Sequence, residues 1–183
     1  MNKLNTIAVL VVAFVAVYLE VAWSLPRRAL GCQVDLLPAL IVYVALFNDV
    51  TVLALLAALG GLWFDSLSAN PLGVTVLPLF AVGFAIFKCR DLILRELRYA
   101  QFLIGLGASA LVPLLTLLLL LNAGQQPLIA WSSLWDWLVM ALAGGAMTPL
   151  FVRFFAWLQT TFKYQRAVET SFRPDREIKR GRQ

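Results

Sequence analysis

The amino-acid sequence predicts an all-α integral membrane protein, a bundle of about six transmembrane helices with both termini in the cytoplasm. Of its 183 residues, 61% are hydrophobic and only 14% are charged. Soluble domains are nearer half apolar and about a quarter charged. The apolar residues also form separate blocks, several of which approach the roughly 20 residues that cross a bilayer. Clustered basic residues between these blocks indicate the orientation.

The first apolar block, residues 4–23, is predicted to be an uncleaved transmembrane helix. It follows Lys3, as the core of a signal peptide would, but it is about twice the usual length of such a core. The following Pro26-Arg27-Arg28 sequence does not resemble a cleavage site, which requires small residues.

The next spans are predicted over residues 35–47, 50–65 and 72–87. The apolar blocks within the first two, 36–47 and 50–64, are short for full crossings. A bent, re-entrant helix pair packed inside the bundle is therefore the alternative. Both alternatives leave the termini on the same side, because the two spans would be lost together.

The last two spans are predicted over residues 102–121 and 135–158, which are long enough to cross a membrane. They complete a helical bundle of residues 1–162, and the basic tail, 163–183, is expected to lie in water. The positive-inside rule places this tail and the basic break Lys88–Arg98 in the cytoplasm. Counting back through the spans places the N-terminus there as well.

This orientation predicts an outer rim that carries both signs of charge. Its members are Arg27, Arg28, Glu20, Asp35, Asp65 and Asp136. On the inner side, the Lys88–Arg98 break alternates cations with leucines, which predicts a surface helix that binds anionic lipid, with a cytoplasmic partner as the alternative. The tail has no aromatic stacking platform, so no nucleic-acid partner is expected.

Asp65 lies within the stretch GGLWFDSLSANPLG, residues 60–73, between two apolar blocks. A carboxylate at the bilayer centre would indicate ion or proton handling. At the end of a helix, followed by Ser68 and Asn70-Pro71, a carboxylate can instead bond the backbone amides of a turn. A turn at the outer rim is the preferred interpretation, and a transport role is the alternative.

Small residues repeat at helical spacing in two of the blocks. They are Ala54, Ala57, Ala58 and Gly61 in one block, and Ala141, Gly144 and Gly145 in the last. Small side chains let helix backbones approach closely in lipid, so both sets predict close helix packing.

The sequence predicts a protein that is not an enzyme and holds no cofactor or metal. Because the chain has no histidine, Ser-His-Asp catalysis and histidine-based metal sites are excluded. It also has no phosphate-binding loop and no CxxC pair. Cys32 and Cys89 are expected on opposite sides of the membrane, so a disulfide between them is not expected.

Two motifs, VDLLP over residues 34–38 and GGLWFDSLSANPLG over residues 60–73, resemble the bacterial rod shape-determining protein MreD family. The resemblance extends from Leu4 to about Phe162. Val34 and Ala69 depart from it, because the family often has proline at the first position and usually glycine at the second. The motif residues are Asp35, Pro38, Asp65, Ser68, Asn70, Pro71 and Gly73, with Asp136 beside them at the outer rim.

This resemblance implies a non-enzymatic component of the cell-elongation machinery in the bacterial inner membrane. Such a protein would bind MreC directly and, through it, act with MreB, RodA and the transpeptidase partner of RodA in peptidoglycan synthesis. The family is also similar in fold to the substrate-binding subunits of energy-coupling-factor transporters. A vitamin-capture subunit is therefore the alternative, with a pocket lined by Asp65 and by Trp131, Trp135 and Trp137.

Overall fold

A computed structural model describes residues 3–22, 35–68, 70–91, 97–125 and 131–170. Within these ranges the chain forms six α-helices, which confirms the all-helical prediction. They are α1 (Lys3–Ala22), α2 (Leu37–Phe47), α3 (Val50–Leu67), α4 (Val76–Cys89), α5 (Arg98–Asn122) and α6 (Trp131–Thr170).

Side-chain contacts at two ends of the bundle establish the directions of its first helices. At one end, Asn5 Nδ2 donates to Asn48 Oδ1 at 2.6 Å, and Arg90 Nη1 donates to the Asn48 carbonyl at 3.2 Å. At the other end, the Leu36 N–H donates to Glu20 Oε1 at 3.0 Å. The start of α1 therefore lies beside the ends of α2 and α4. These two ends are called the Asn48 end and the Glu20 end.

Helix α2 forms the centre of the bundle. It contacts α1, α3, α4 and α5, and its residues Leu37 to Leu46 are all buried. A helix that is hydrophobic on every side is typical of such a central position. Its 11 residues extend only about 16 Å at the α-helical rise, which is well short of the roughly 30 Å hydrocarbon core of a bilayer.

Three helical segments in the described part of the chain are long and apolar enough to cross a membrane. They are Val50–Leu67, Arg98–Asn122 and Ser133–Thr161. On α1, the large side chains face outward while Ala13, Ala16 and Val17 are buried. The exposed residues on this helix include Ile7, Val11, Phe14, Val15, Tyr18 and Leu19. Extensive apolar surface of this kind suggests a membrane protein.

Glycines at two helix contacts confirm the close packing that the small residues predict. A Cβ added to Gly61 of α3 would lie 2.9 Å from Val76 Cα at the start of α4. A Cβ added to Gly144 of α6 would lie 2.5 Å from Ser109 Cβ on α5. Both separations are shorter than an ordinary van der Waals contact, so these helix surfaces approach too closely for a larger side chain.

By its internal contacts the chain divides into two units, Met1–Val152 and Arg153–Gln183. Helix α6 passes from the first unit into the second and ends at Thr170. In the second unit, the Phe154 ring lies edge-on to the Phe155 ring, with their centroids 5.4 Å apart.

Several predictions fall outside the described residues. They concern Val34, Ala69, the outer arginines Arg27 and Arg28, Cys32, residues 92–96 of the basic break, and residues 171–183 of the tail.

Candidate functional site

The corner between α3 and α4 is organised around the carboxylate of Asp65, in the last turn of α3. Its Oδ2 accepts hydrogen bonds from the N–H groups of Gly73, at 2.8 Å, and Thr75, at 3.1 Å. Its Oδ1 accepts a hydrogen bond from the Thr75 hydroxyl. One carboxylate therefore holds both the connecting turn and the residue immediately before α4.

These bonds explain how a carboxylate can be buried at this position. Asp65 is only 2% exposed, and a buried charge is costly unless hydrogen bonds compensate for its lost hydration. The N-terminus of α4, which begins at Val76, also carries a partial positive charge that favours a nearby anion. Asp65 thus holds the turn that leads into α4, which is the role that the turn interpretation of the sequence gives it.

The rest of the corner forms a turn that ends in an exposed apolar tip. Ser68 Oγ donates to the Asp65 carbonyl at 3.3 Å and accepts from the Asn70 N–H at 3.4 Å. Gly73 has a φ of +88°, a conformation that side chains with a Cβ disfavour. Pro71 is exposed and Leu72 is 71% exposed, so these two residues form the outward surface of the turn.

The fourth span predicted from the sequence begins before the helix does. It begins at residue 72, whereas α4 begins at Val76. Positive φ at Gly73 is incompatible with a right-handed helix. The bonds from Asp65 then hold the backbone in a turn as far as Thr75.

The entry to α2 places two further carboxyl groups next to each other. Asp35 Oδ1 accepts from the Leu37 N–H at 2.9 Å, and Glu20 Oε1 accepts from the Leu36 N–H at 3.0 Å. Both are 8% exposed, and Glu20 Oε2 is buried with no hydrogen-bond partner among the described residues. Pro38 is buried in the first turn of α2, where proline is well tolerated because its nitrogen needs no helical partner.

A cavity of about 240 Å³ connects this entry with the corner. Its polar lining comes from Asp35, Asn70, Thr75 and Thr116, and the rest of its lining is mostly apolar. The other lining residues are Phe64, Val112, Pro113, Leu117, Leu120 and Met140. The structure thus brings Asp35 together with the corner at the Glu20 end, although they are separated in sequence.

Asp136, which the sequence places beside the corner, is only loosely associated with it. It is half-buried on α6 and forms no hydrogen bond or ion pair with another described residue. Asp136 lies one turn before Met140, on the same side of the helix. Trp135 and Trp137 do not line the cavity; Trp137 Nε1 instead donates to the Ala110 carbonyl at 2.8 Å.

The sequence did not identify Thr75, Thr116 and Met140 as members of this site. It placed Glu20 only among the charged residues of the outer rim. Thr75 lies inside the predicted fourth span, and its hydroxyl donates to Asp65 instead of capping α4, so no helix-cap signal identifies it. Thr116 had no signal either, because it lies within a leucine-rich run on α5 and only the packing of α5 brings it to the cavity.

The chemistry of this arrangement is that of binding and of structural support. The side chain of Trp131 lies outside the described part. Across the described ranges, no group of three or more cysteine, aspartate or glutamate side chains is arranged to hold a metal ion. The cavity offers one carboxylate, one amide and two hydroxyls against an apolar wall.

Comparisons with known protein families, with curated proteins and with solved structures find no match to this chain.

Proposed function

We propose that this chain is an MreD-like scaffold of the bacterial inner membrane, which binds MreC and helps to organise peptidoglycan synthesis during cell elongation. The proposal rests on the resemblance of residues 34–38 and 60–73 to that family. In its full form, the chain crosses the membrane about six times with both termini in the cytoplasm. MreB, RodA and the transpeptidase partner of RodA would be reached through MreC.

The observation that carries the proposal is the geometry of the corner between α3 and α4. Asp65 is buried, and its bonds to Gly73 and Thr75 hold the turn in one conformation. This turn presents Pro71 and Leu72 as an exposed apolar tip that a partner can contact. A tip that is already held in place loses little conformational entropy on binding, which favours its use as a contact.

The proposal is tested by copurifying MreC with the Leu72→Asp variant. Placing a charge on an apolar contact should reduce the recovered MreC about tenfold or more, as expected for an apolar residue at the centre of an interface. Leu121→Asp is the matched control, since Leu121 is an exposed leucine in the last turn of α5. Its variant should retain MreC.

Equal recovery of MreC by wild type and by Leu72→Asp would contradict the corner as the contact. Loss of MreC from both variants would indicate a general effect of the added charge. Membrane insertion of each variant is measured first, by recovery of the protein in the membrane fraction.

The cavity between Asp35 and the corner supports a second candidate, a subunit that captures a vitamin-like molecule. Its polar groups lie together beside a largely apolar wall, a composition that is common in small-molecule sites. The test is mass spectrometry of small molecules released from the purified protein. Met140→Trp should displace such a molecule by filling the cavity, whereas Ala146→Trp, at an exposed position on α6, should retain it.

A further inference from the structure

An apolar groove of about 400 Å³ runs between α4 and α5, and none of its lining residues lines the cavity at the corner. Its depth comes from small residues, Ala81 and Ala85 on α4 and Gly107 and Ala108 on α5. Its remaining lining residues are Val82, Ile86, Ile104, Leu111 and Leu115. A Cβ added to Gly107 would meet no atom within 4 Å, so the space beside this glycine is empty.

A cationic residue, Lys88, lies just beyond the groove residues along α4. Ala81, Ala85 and Lys88 follow one another at spacings of four and three residues, which places them along one side of α4. Lys88 is exposed, and its Nζ lies 5.4 Å from the centroid of the Phe84 ring. The groove therefore extends from the middle of the bundle towards an ammonium group at the Asn48 end.

The other described cations at this end are less well placed than Lys88 to bind an anion at the groove. Arg90 Nη1 donates to the Asn48 carbonyl, and Arg90 Nε lies 3.9 Å from Asp91 Oδ1. Arg98 is exposed, but it precedes Gly107 by about two and a half helical turns and so lies on the opposite side of α5. Lys88 is thus the described cation best placed to contact a headgroup.

We propose that the groove between α4 and α5 binds an acyl chain of an anionic phospholipid from the surrounding membrane, with Lys88 contacting the phosphate. A groove lined only by apolar residues, with a cation just beyond one end, matches an alkyl chain attached to an anionic headgroup. A second protein helix packed on these small residues would leave Lys88 without a counter-charge unless that helix supplied an acidic side chain. The site goes beyond the proposed scaffold function and depends on membrane insertion, not on MreC.

Native mass spectrometry of the purified full chain tests the headgroup contact. The protein is titrated with phosphatidylglycerol and with phosphatidylcholine that carry the same acyl chains. Wild type should prefer phosphatidylglycerol, and Lys88→Gln should reduce that preference about two- to fivefold, the range expected for one exposed ion pair at a membrane surface. Arg98→Gln, the matched charge control, should leave the preference unchanged.

Gly107→Leu tests the acyl-chain contact. A leucine side chain in the groove displaces part of the bound acyl chain. The affinity for both lipids should fall about tenfold, because the displaced methylene groups are no longer buried. Ala81→Leu fills the same groove from α4 and provides a second test if the first variant folds poorly. Ala146→Leu, at an exposed position on α6, should have no effect.

Equal binding of the two lipids by wild type overturns the proposal, as does undiminished binding by both groove-filled variants. If Lys88→Gln and Arg98→Gln reduce the preference for phosphatidylglycerol equally, the assignment of the headgroup contact to Lys88 is overturned. Copurification of a protein helix that Gly107→Leu releases, without bound lipid, also overturns the proposal. A loss of MreC binding without a change in lipid binding would contradict only the scaffold function, not this lipid site.

Discussion

At the scale of single residues, Asp65 shows how the surroundings of a carboxylate determine its role. The sequence left a turn role and an ion-handling role open. The bonds from Gly73 and Thr75 favour the turn, because they occupy both carboxylate oxygens and connect them to the start of α4. Asp65 is also too buried to be a direct contact for a partner, so Leu72 is the better target for binding experiments.

Removing the hydrogen bonds of Asp65 should destabilise the protein, and the loss should be larger when more groups are left unpaired. Asp65→Ala leaves the N–H groups of Gly73 and Thr75 and the Thr75 hydroxyl without this acceptor, and it should cost about 3 kcal/mol of unfolding free energy. Thr75→Val removes one bond and should cost about 1.5 kcal/mol. Denaturant unfolding in detergent measures both changes.

Ser66→Ala serves as the control for this series. Ser66 is exposed and, among the described residues, donates only to the Trp63 carbonyl, at 2.8 Å within the same helix, so its loss should change stability by less than about 0.5 kcal/mol. If Asp65→Ala proves no more destabilising than Ser66→Ala, the carboxylate does not hold the corner.

At the scale of helices, close contacts between backbones determine which glycines can be replaced. Gly61 faces the backbone of Val76, which cannot move aside as a flexible side chain would. Gly107 also lies within a helix but has open space beside it. The sequence alone does not distinguish these two glycines, because their difference lies in the neighbouring helix.

Alanine substitution should separate the two glycines. Gly61→Ala forces α3 and α4 apart and should lower the unfolding free energy by about 1 to 3 kcal/mol, the usual cost of overpacking. Gly107→Ala should raise stability by about 0.5 to 1 kcal/mol, because alanine is the better helix former. Thermal unfolding of the two variants in the same detergent gives the comparison. An equal response from both would show that α3 and α4 can separate at little cost.

At the scale of the whole molecule, the arrangement of polar groups divides the bundle into two ends. Asn5, Asn48 and Arg90 meet at one end, and Glu20 bonds the entry to α2 at the other. The charge distribution predicts that the Asn48 end faces the cytoplasm. Cys89, at the end of α4, is free and exposed and can report on this orientation.

A membrane-impermeant thiol reagent applied to intact cells tests the predicted orientation. The Cys32→Ser variant, which retains Cys89, should be labelled only after the membrane is permeabilised, because the Asn48 end is predicted to face inward. The Cys89→Ser variant, which retains Cys32, should be labelled without permeabilisation. The reverse pattern of labelling would contradict the orientation, and labelling of both variants from outside would contradict their placement on opposite sides.

The sequence by itself determined that the chain is helical and apolar, and it located the corner, because composition, block length and turn-forming residues are local properties. The use of Asp65 to bond the backbone of the turn was also foreseeable, since its turn partners follow within ten residues. Only the tertiary structure decided that α2 is central, because a helix that is apolar on every side can lie either in a protein core or against lipid. The structure alone likewise joined Asp35, Thr75 and Thr116 around one cavity, since their proximity depends on how separate helices pack.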